Sequence, residues 1–188
     1  TLNRYVEALD WYRQSVDLLT KSEEKDDFLL SNVLSNLGYT AYQLGRYSEA
    51  ADFLKQSIEL KVSLFGEDNP NLIGIIVDYG ELLQQNQKWE EAVMNFYQAL
   101  TLHNKYYGNQ NLFGSEITLR IGICYYNLRK YKEAAEKFQE CLKSHEDAGV
   151  EKANTSYISA LVNLSSAKEQ LGEIEEAKRL AQDAVKLS

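Results

Sequence analysis

The stretch Leu37-Gly38-Tyr39-Thr40-Ala41-Tyr42-Gln43-Leu44-Gly45-Arg46-Tyr47-Ser48-Glu49-Ala50 recurs along the chain, and its recurrence decides the architecture. Its aromatic Tyr47 has counterparts at Tyr5, Trp89, Tyr131 and, as an aliphatic, Ile174, so that successive copies stand 42, 42, 42 and 43 residues apart. The same offsets hold Glu7, Glu49, Glu91, Glu133 and Glu176, each followed by an alanine: Ala8, Ala50, Ala92, Ala134 and Ala177. Agreement at several positions in five copies marks a repeat array, in which each unit buries its apolar face against its neighbours rather than in one central core.

The helix starts repeat as well. Asp27, Asn69, Asn111 and Asn154 stand at intervals of 42, 42 and 43 residues, and all four side chains can accept bonds from the unpaired amides of a first helical turn. Pro70, the only proline, would then occupy a first helical position, where its missing N–H costs nothing. From each cap a first helix is predicted over 28–44, 70–86, 112–128 and 155–171. A second follows over 47–64, 89–106, 131–146 and 174–187. Linkers as short as Gly45-Arg46 force the two helices of a pair to lie antiparallel and adjacent. Gly45 and Gly172 suit a left-handed helix end, whereas Gln87 and Arg129 at the same place do not, so those two turns are expected to be strained or to close differently.

Residues 3–20 read as one helix whose Tyr5, Ala8, Leu9, Tyr12, Val16 and Leu19 share a face. By register it is the second helix of a truncated repeat, followed by repeats over 27–66, 69–108, 111–148 and 154–188 in a single array spanning 1–188. With Thr1 at the start and the last copy ending near Ser188, the chain is expected to be a piece of a longer protein. Its first stripe, with Trp11 beside it, is expected to be partly uncovered and to seek a partner, either another molecule or a displaced segment. Self-association through Tyr5, Trp11 and Tyr12 is one such route.

Small residues recur where helices must approach closely: Gly38, Gly80, Gly122 and Ser165 on first helices face the repeated alanines, with Tyr12, Leu54, Phe96 and Phe138 filling the gaps beside them. A large side chain forced onto Gly80 or Ala92 is expected to cost about 1 to 3 kcal/mol by overpacking. The repeated glutamate falls in the first turn of each second helix, where exposed amides favour negative charge, so its role is helix stabilisation.

Of 188 residues, 44% are hydrophobic and 26% charged, an ordinary composition for a packed soluble chain. No run of about 18 uncharged apolar residues and no basic, apolar leader occurs. Cys124 and Cys141 show no short metal-binding spacing and fall on apolar repeat positions, which reads as reduced core thiols and points to the cytoplasm. The sequons at Asn154 and Asn163 are discounted as chance matches. A net charge of −8 and a pI near 4.9 oppose nucleic-acid binding and favour a neutral or basic peptide partner. His103 and His145 occupy one position of successive repeats near second-helix ends, so they are translated copies rather than a converging pair. With no Gly-rich phosphate loop, His-Glu-x-x-His or Cys-x-x-Cys, the reading is a non-enzymatic chain with no catalytic residue, metal or cofactor.

Leu37, Gly38, Tyr42, Gly45, Tyr47, Ala50, Leu54 and Ser57 resemble the tetratricopeptide repeat, and the resemblance covers the whole chain as half a repeat and four full ones. The period of about 42 residues departs from the usual repeat of about 34. The connection Leu64-Phe65-Gly66-Glu67-Asp68-Asn69-Pro70 is similar to that of kinesin-light-chain-type repeats. Tyr107 to Asn111 is a looser copy, and Glu146 to Asn154 has lost it. The resemblance implies an all-α, right-handed α-solenoid of antiparallel helix pairs, about four and a half repeats long, whose first helices line a concave groove that holds a peptide or helix of another protein.

Mapped onto this chain, the groove positions of the first full repeat are Asn36, Tyr39, Tyr42 and Gln43. The next repeats supply Asp78, Glu81, Gln84 and Gln85, then Arg120, Tyr126 and Asn127, then Asn163, Glu169 and Gln170. Such amides suit bonding to a partner's backbone, and tyrosines give contact area at low entropy cost. Asn36 and Asn163 stand where the family often carries an asparagine that pairs with the ligand main chain, and Asp78 and Arg120 depart from that. Only Arg120 survives of the Lys and Asn clamp that chaperone-binding members use for a terminal carboxylate. Asp78, Glu81 and Glu169 make the groove acidic, unlike the basic groove with which kinesin light chains hold acidic cargo motifs.

The leading expectation is a scaffold or adaptor that docks a linear segment of a partner protein. Two alternatives stand beside it: a peptide-sensing regulator of the bacterial quorum-sensing type, and a structural element that self-associates in a cytoskeletal assembly. Replacing Tyr42 and Tyr126 by alanine is expected to abolish partner binding while leaving thermal unfolding nearly unchanged.

Overall fold

The computed structural model describes residues 2–108, 111–149 and 154–187. Among them are nine helices and no strand: α1 (Leu2–Lys21), α2 (Asp27–Gln43), α3 (Tyr47–Phe65), α4 (Leu72–Gln85), α5 (Trp89–Tyr107), α6 (Leu112–Asn127), α7 (Tyr131–Asp147), α8 (Thr155–Gln170) and α9 (Ile174–Leu187). They form the antiparallel helix-pair repeats of an all-α solenoid, as the 42-residue period implies. Residues 109–110 and 150–153, parts of the two altered connections, lie outside the described residues. No helix among the described residues is long and apolar enough to cross a membrane.

The chain divides into two compact units, Thr1–Lys88 and Trp89–Ser188. In the first, α1 packs on α2, α2 on α3, and α3 on α4. Its core gathers Leu9, Leu37, Ala41, Ala50, Ala51, Leu54 and Leu82, with Tyr12, Val16, Tyr42 and Tyr47 at the margin. The stripe on α1 is therefore covered in part by the chain itself: Leu9 is only 1% exposed, and Tyr12 and Val16 are half-buried. Trp11 and Leu18 remain 68% and 71% exposed. An ion pair between Arg13 and Glu49 ties α1 to the start of α3. In the second unit, consecutive helices from α5 to α9 pack pairwise, and α6 to α9 enclose a core of Phe138, Cys141, Tyr157, Ala160, Leu164 and Leu180.

Close helix approach in each unit rests on size complementarity. A Cβ on Gly38 would stand 2.8 Å from Leu54 Cδ2, and one on Gly122 2.5 Å from Phe138 Cε1, distances that real Cβ atoms do not reach. Where the array carries Ser165 instead, its hydroxyl donates to the Ala177 carbonyl at 2.7 Å and makes the close approach polar. The repeated glutamates Glu49, Glu91, Glu133 and Glu176 fall in the first turns of α3, α5, α7 and α9.

Two of the four expected caps stand as read. Asn111 accepts from the Gly114 amide at 3.0 Å and Asn154 from the Ser156 amide at 2.8 Å. At α2 the cap is Asp26, not Asp27: its carboxylate accepts from the Leu29 amide at 2.8 Å, and Asp27 becomes a first-turn anion. Before α4 the regular helix begins at Leu72, so Pro70 lies in the preceding turn rather than at the first helical position. There Asn69 accepts from the Asn71 amide, while its carbonyl and that of Pro70 accept from Leu72 and Ile73 in tight three-residue steps.

The four turns inside the pairs close alike, so of the two outcomes expected for Gln87 and Arg129 the structure has the strained one and not a different closure. Gly45, Gln87, Arg129 and Gly172 have φ of 73°, 58°, 59° and 81°. At each, the left-handed residue donates to the carbonyl three residues back and the next residue to the carbonyl five back, as from Gln87 to Gln84 and Lys88 to Leu83. This is the Schellman arrangement, which satisfies carbonyls that the helix leaves open. Two of the four turns hold a side chain in a conformation that glycine adopts without strain.

Candidate functional site

Four of the residues singled out for the groove meet in the first unit. Tyr39 and Tyr42 on α2 and Asp78 and Glu81 on α4 line a cleft of about 160 Å³, with Ser35 beside them and Leu54, Ile75 and Leu82 as its apolar floor. The spacing explains the convergence. Positions 35, 39 and 42 follow one face of α2, and 75, 78 and 82 one face of α4, because residues three and four apart stack on a helix surface. Tyr39 is 59% exposed. Tyr42 is held: its ring lies 5.6 Å from that of Tyr47 and packs on the first unit's core. Asp78 is exposed and Glu81 half-buried.

Asn36, Gln43, Gln84 and Gln85 do not line this cleft. Ser35, Leu54, Ile75 and Leu82 do, although sequence reading missed them; the signal for Ser35, Ile75 and Leu82 was their position one turn from a chosen residue, whereas Leu54 lies on α3, which carries none. Ser35 is positioned from below, its hydroxyl 2.8 Å from that of Ser57, which itself donates to the Ser31 carbonyl at 2.6 Å.

The second unit has a different cleft, of about 260 Å³, lined by Glu116, Leu119, Arg120, Ile123 and Ser156. Of the chosen residues it contains Arg120 alone. Tyr126 repeats the arrangement of Tyr42, its ring 5.4 Å from Tyr131 and packed on the second unit's core. Asn127 and Asn163 donate their side-chain amides to carbonyls of their own helices, Ile123 and Ser159, each at 2.8 Å. Their carboxamide oxygens are the groups that suit a partner's backbone N–H. Glu169 and Gln170 are exposed near the end of α8.

Elsewhere the second unit brings together Ser115, Cys141 and His145, residue types that serve nucleophilic catalysis. Ser115 Oγ stands 2.9 Å from His145 Nδ1, and Cys141 Sγ 3.9 Å from it. All three are buried, and burial pushes the Cys141 thiol above its ordinary value, with Glu116 and Glu140 adding to the rise. A nucleophilic thiol needs the opposite shift and access to substrate. His103 is likewise a core residue, between the rings of Tyr107 and Phe113, with its Nε2 accepting from Asn111 at 3.0 Å. No group of three or more His, Cys, Asp or Glu that could hold a metal ion occurs among the described residues.

The tetratricopeptide-repeat profile matches residues 1–61 and 72–147, and a second profile of the same description matches 158–188. No curated protein sequence matches the chain. Among solved structures, BtubC (BKLC) from P. vanneervenii superposes with a TM-score of 0.83 at 18% identity, over 98% of this chain and 73% of that one. A putative kinesin light chain with nearly identical TPR-like repeats, from Podosopora anserina, gives 0.82 at 16% identity, over 98% and 87%. The apo form of RapI gives 0.78 at 15% identity, over 98% of this chain and 49% of that one. Identities this low carry the fold alone. The profiles carry more: the chain belongs to the tetratricopeptide-repeat family and is a protein–protein interaction module of that type.

Proposed function

We propose that the chain is a scaffold or adaptor domain that docks a linear, neutral or basic segment of a partner protein on the α2 and α4 faces of its first unit. The observation that carries this reading is the cleft in which Tyr39, Tyr42, Asp78 and Glu81 surround an apolar floor. Such a surface combines aromatic contact area with polar groups that fix register, the composition typical of recognition sites. A cytoplasmic setting fits its two buried thiols, neither of which forms a disulfide.

The test is affinity capture with this chain as bait, followed by mapping of the captured protein's contact segment and titration of that segment against the chain. Saturable binding that Tyr39→Ala weakens supports the reading. Capture through a segment indifferent to Tyr39, Asp78 and Glu81 overturns it. Binding of a short free peptide with a change of compactness in solution scattering would instead favour the sensor alternative, and concentration-dependent self-association with the cleft empty the structural one.

A further inference from the structure

Resting on that reading, we infer that the first-unit cleft is a pocket for one arginine side chain of the docked segment. At about 160 Å³ it is well below the size of a drug-like ligand site and suits a single long side chain. Its walls differ in chemistry. Leu54, Ile75 and Leu82 match the methylene stem of such a residue, which gains by lying along apolar surface. Tyr39 and Tyr42 offer ring faces on which a planar guanidinium stacks, and Asp78 and Glu81, one turn apart on α4, offer carboxylates for its N–H groups. Arginine satisfies the aromatic and the acidic wall together; a lysine ammonium, compact and strongly hydrated, uses the aromatic one less well.

The charge of the first unit points the same way. Residues 1–88 hold eight Lys and Arg against fourteen Asp and Glu, whereas residues 89–188 hold twelve against fourteen. The field that draws a cation thus comes from the unit that carries the pocket. The repeat supplies an internal contrast. One period after Asp78 and Glu81 stand Arg120 and Ile123, and these line the second-unit cleft in place of the two carboxylates. That cleft has no aromatic lining residue and already carries a guanidinium of its own. Asp78 and Glu81 already have interactions within the chain, and an arriving guanidinium competes for them rather than meeting idle charge. Surface pairings exchange at little cost, so the competition is a fair one.

The probe is the tripeptide acetyl-Gly-Arg-Gly-amide, titrated into the isotope-labelled chain and followed by NMR, beside the same peptide with neutral, isosteric citrulline. The inference expects saturable shifts at the Tyr39 and Tyr42 rings and the α4 amides, with the citrulline peptide roughly tenfold weaker. Asp78→Asn with Glu81→Gln should remove that preference, and resonances of the second-unit cleft should stay still. Equal response to both peptides, or none at these residues, overturns the inference. A captured segment that binds this face equally well with arginine or citrulline also overturns it, and leaves the interaction reading standing. Binding of the arginine probe with no captured partner upholds the pocket and counts against the adaptor reading.

Discussion

The ring of Phe138 on α7 occupies the place that a side chain at Gly122 on α6 would need: a Cβ there would stand 2.5 Å from Phe138 Cε1 and 2.7 Å from Cδ1. Phe138 is fully buried, so it has nowhere to retreat without moving the helix. In this fold the glycine is a requirement of helix approach and not of backbone conformation, since Gly122 lies in the middle of α6.

Gly122→Ala should therefore destabilise the chain by about 1 to 3 kcal/mol through overpacking, although alanine is the better helix former. The double change Gly122→Ala with Phe138→Leu should recover part of the loss. Denaturant midpoints of the two variants check this, and a neutral or stabilising Gly122→Ala would contradict the packing argument.

Gln87 and Arg129 hold left-handed backbone at φ of 58° and 59°, where glycine is unstrained. Releasing that strain is worth more than the chain entropy glycine adds, so Gln87→Gly and Arg129→Gly should each stabilise by about 0.5 to 1 kcal/mol. The converse, Gly45→Ala, should destabilise by a similar amount. Thermal unfolding of the three single variants measures all of this in one series.

The two cleft tyrosines should separate under mutation, which corrects the expectation that Tyr42→Ala with Tyr126→Ala leaves stability untouched. Each of those rings packs on a core and on the tyrosine that opens the next helix. Truncating either should cost about 1 to 3 kcal/mol. Tyr39, largely exposed, should lose partner affinity with little change in the unfolding midpoint. Parallel binding and unfolding curves for Tyr39→Ala and Tyr42→Ala distinguish the roles.

Alkaline pH should act on the second unit through Tyr157. Burial and its hydrogen bond to Glu146, at 3.0 Å, push its phenol from the ordinary 10.0 up to about 12. A folded-state value raised above the unfolded one gives stability that is present below pH 10 and lost as pH rises towards 12. Tyr125, also raised to about 12, chiefly by burial, adds to the same window. Urea midpoints between pH 9 and about 11.5 should fall more steeply for the native chain than for Tyr157→Phe, whose side chain cannot ionise.

The cap of α2 offers a test at single-residue resolution. Asp26→Ala should cost about 1 kcal/mol, because the Leu29 amide loses its acceptor, while Asp27→Ala should cost only a few tenths. Equal losses would mean that both carboxylates share the amide.

The period of Tyr47 and its counterparts carried the helix order, the pairing and the close approach of Gly38 and Gly122, because packing in an array repeats with the sequence. What it left open was set at scales finer than the period. Asp26 and Asp27 are adjacent and chemically alike, so only backbone geometry chooses the cap. Pro70 fits a turn or a first helical position equally well from composition alone. Gln87 and Arg129 adopt φ that side chains disfavour because the Schellman bonds and the short connection impose it. In the cleft, polar positions on α2 and α4 were legible from the repeat register, but Leu54, Ile75 and Leu82 read as core, and the double duty of Tyr42 depends on the neighbouring ring of Tyr47. The buried Ser115, Cys141 and His145 contact joins residues 26 and 30 apart and has no local signature.

Both thiols of this chain, Cys124 and Cys141, are sealed at 0% exposure, and residues 1–88 contain none. The molecule thus carries a built-in stopwatch on one of its halves: an alkylating reagent can react only when residues 89–188 breathe open, and the rate of labelling times that event alone. Opening of the other half leaves no chemical trace, so labelling that trails the loss of helical circular dichroism would show that residues 1–88 yield first.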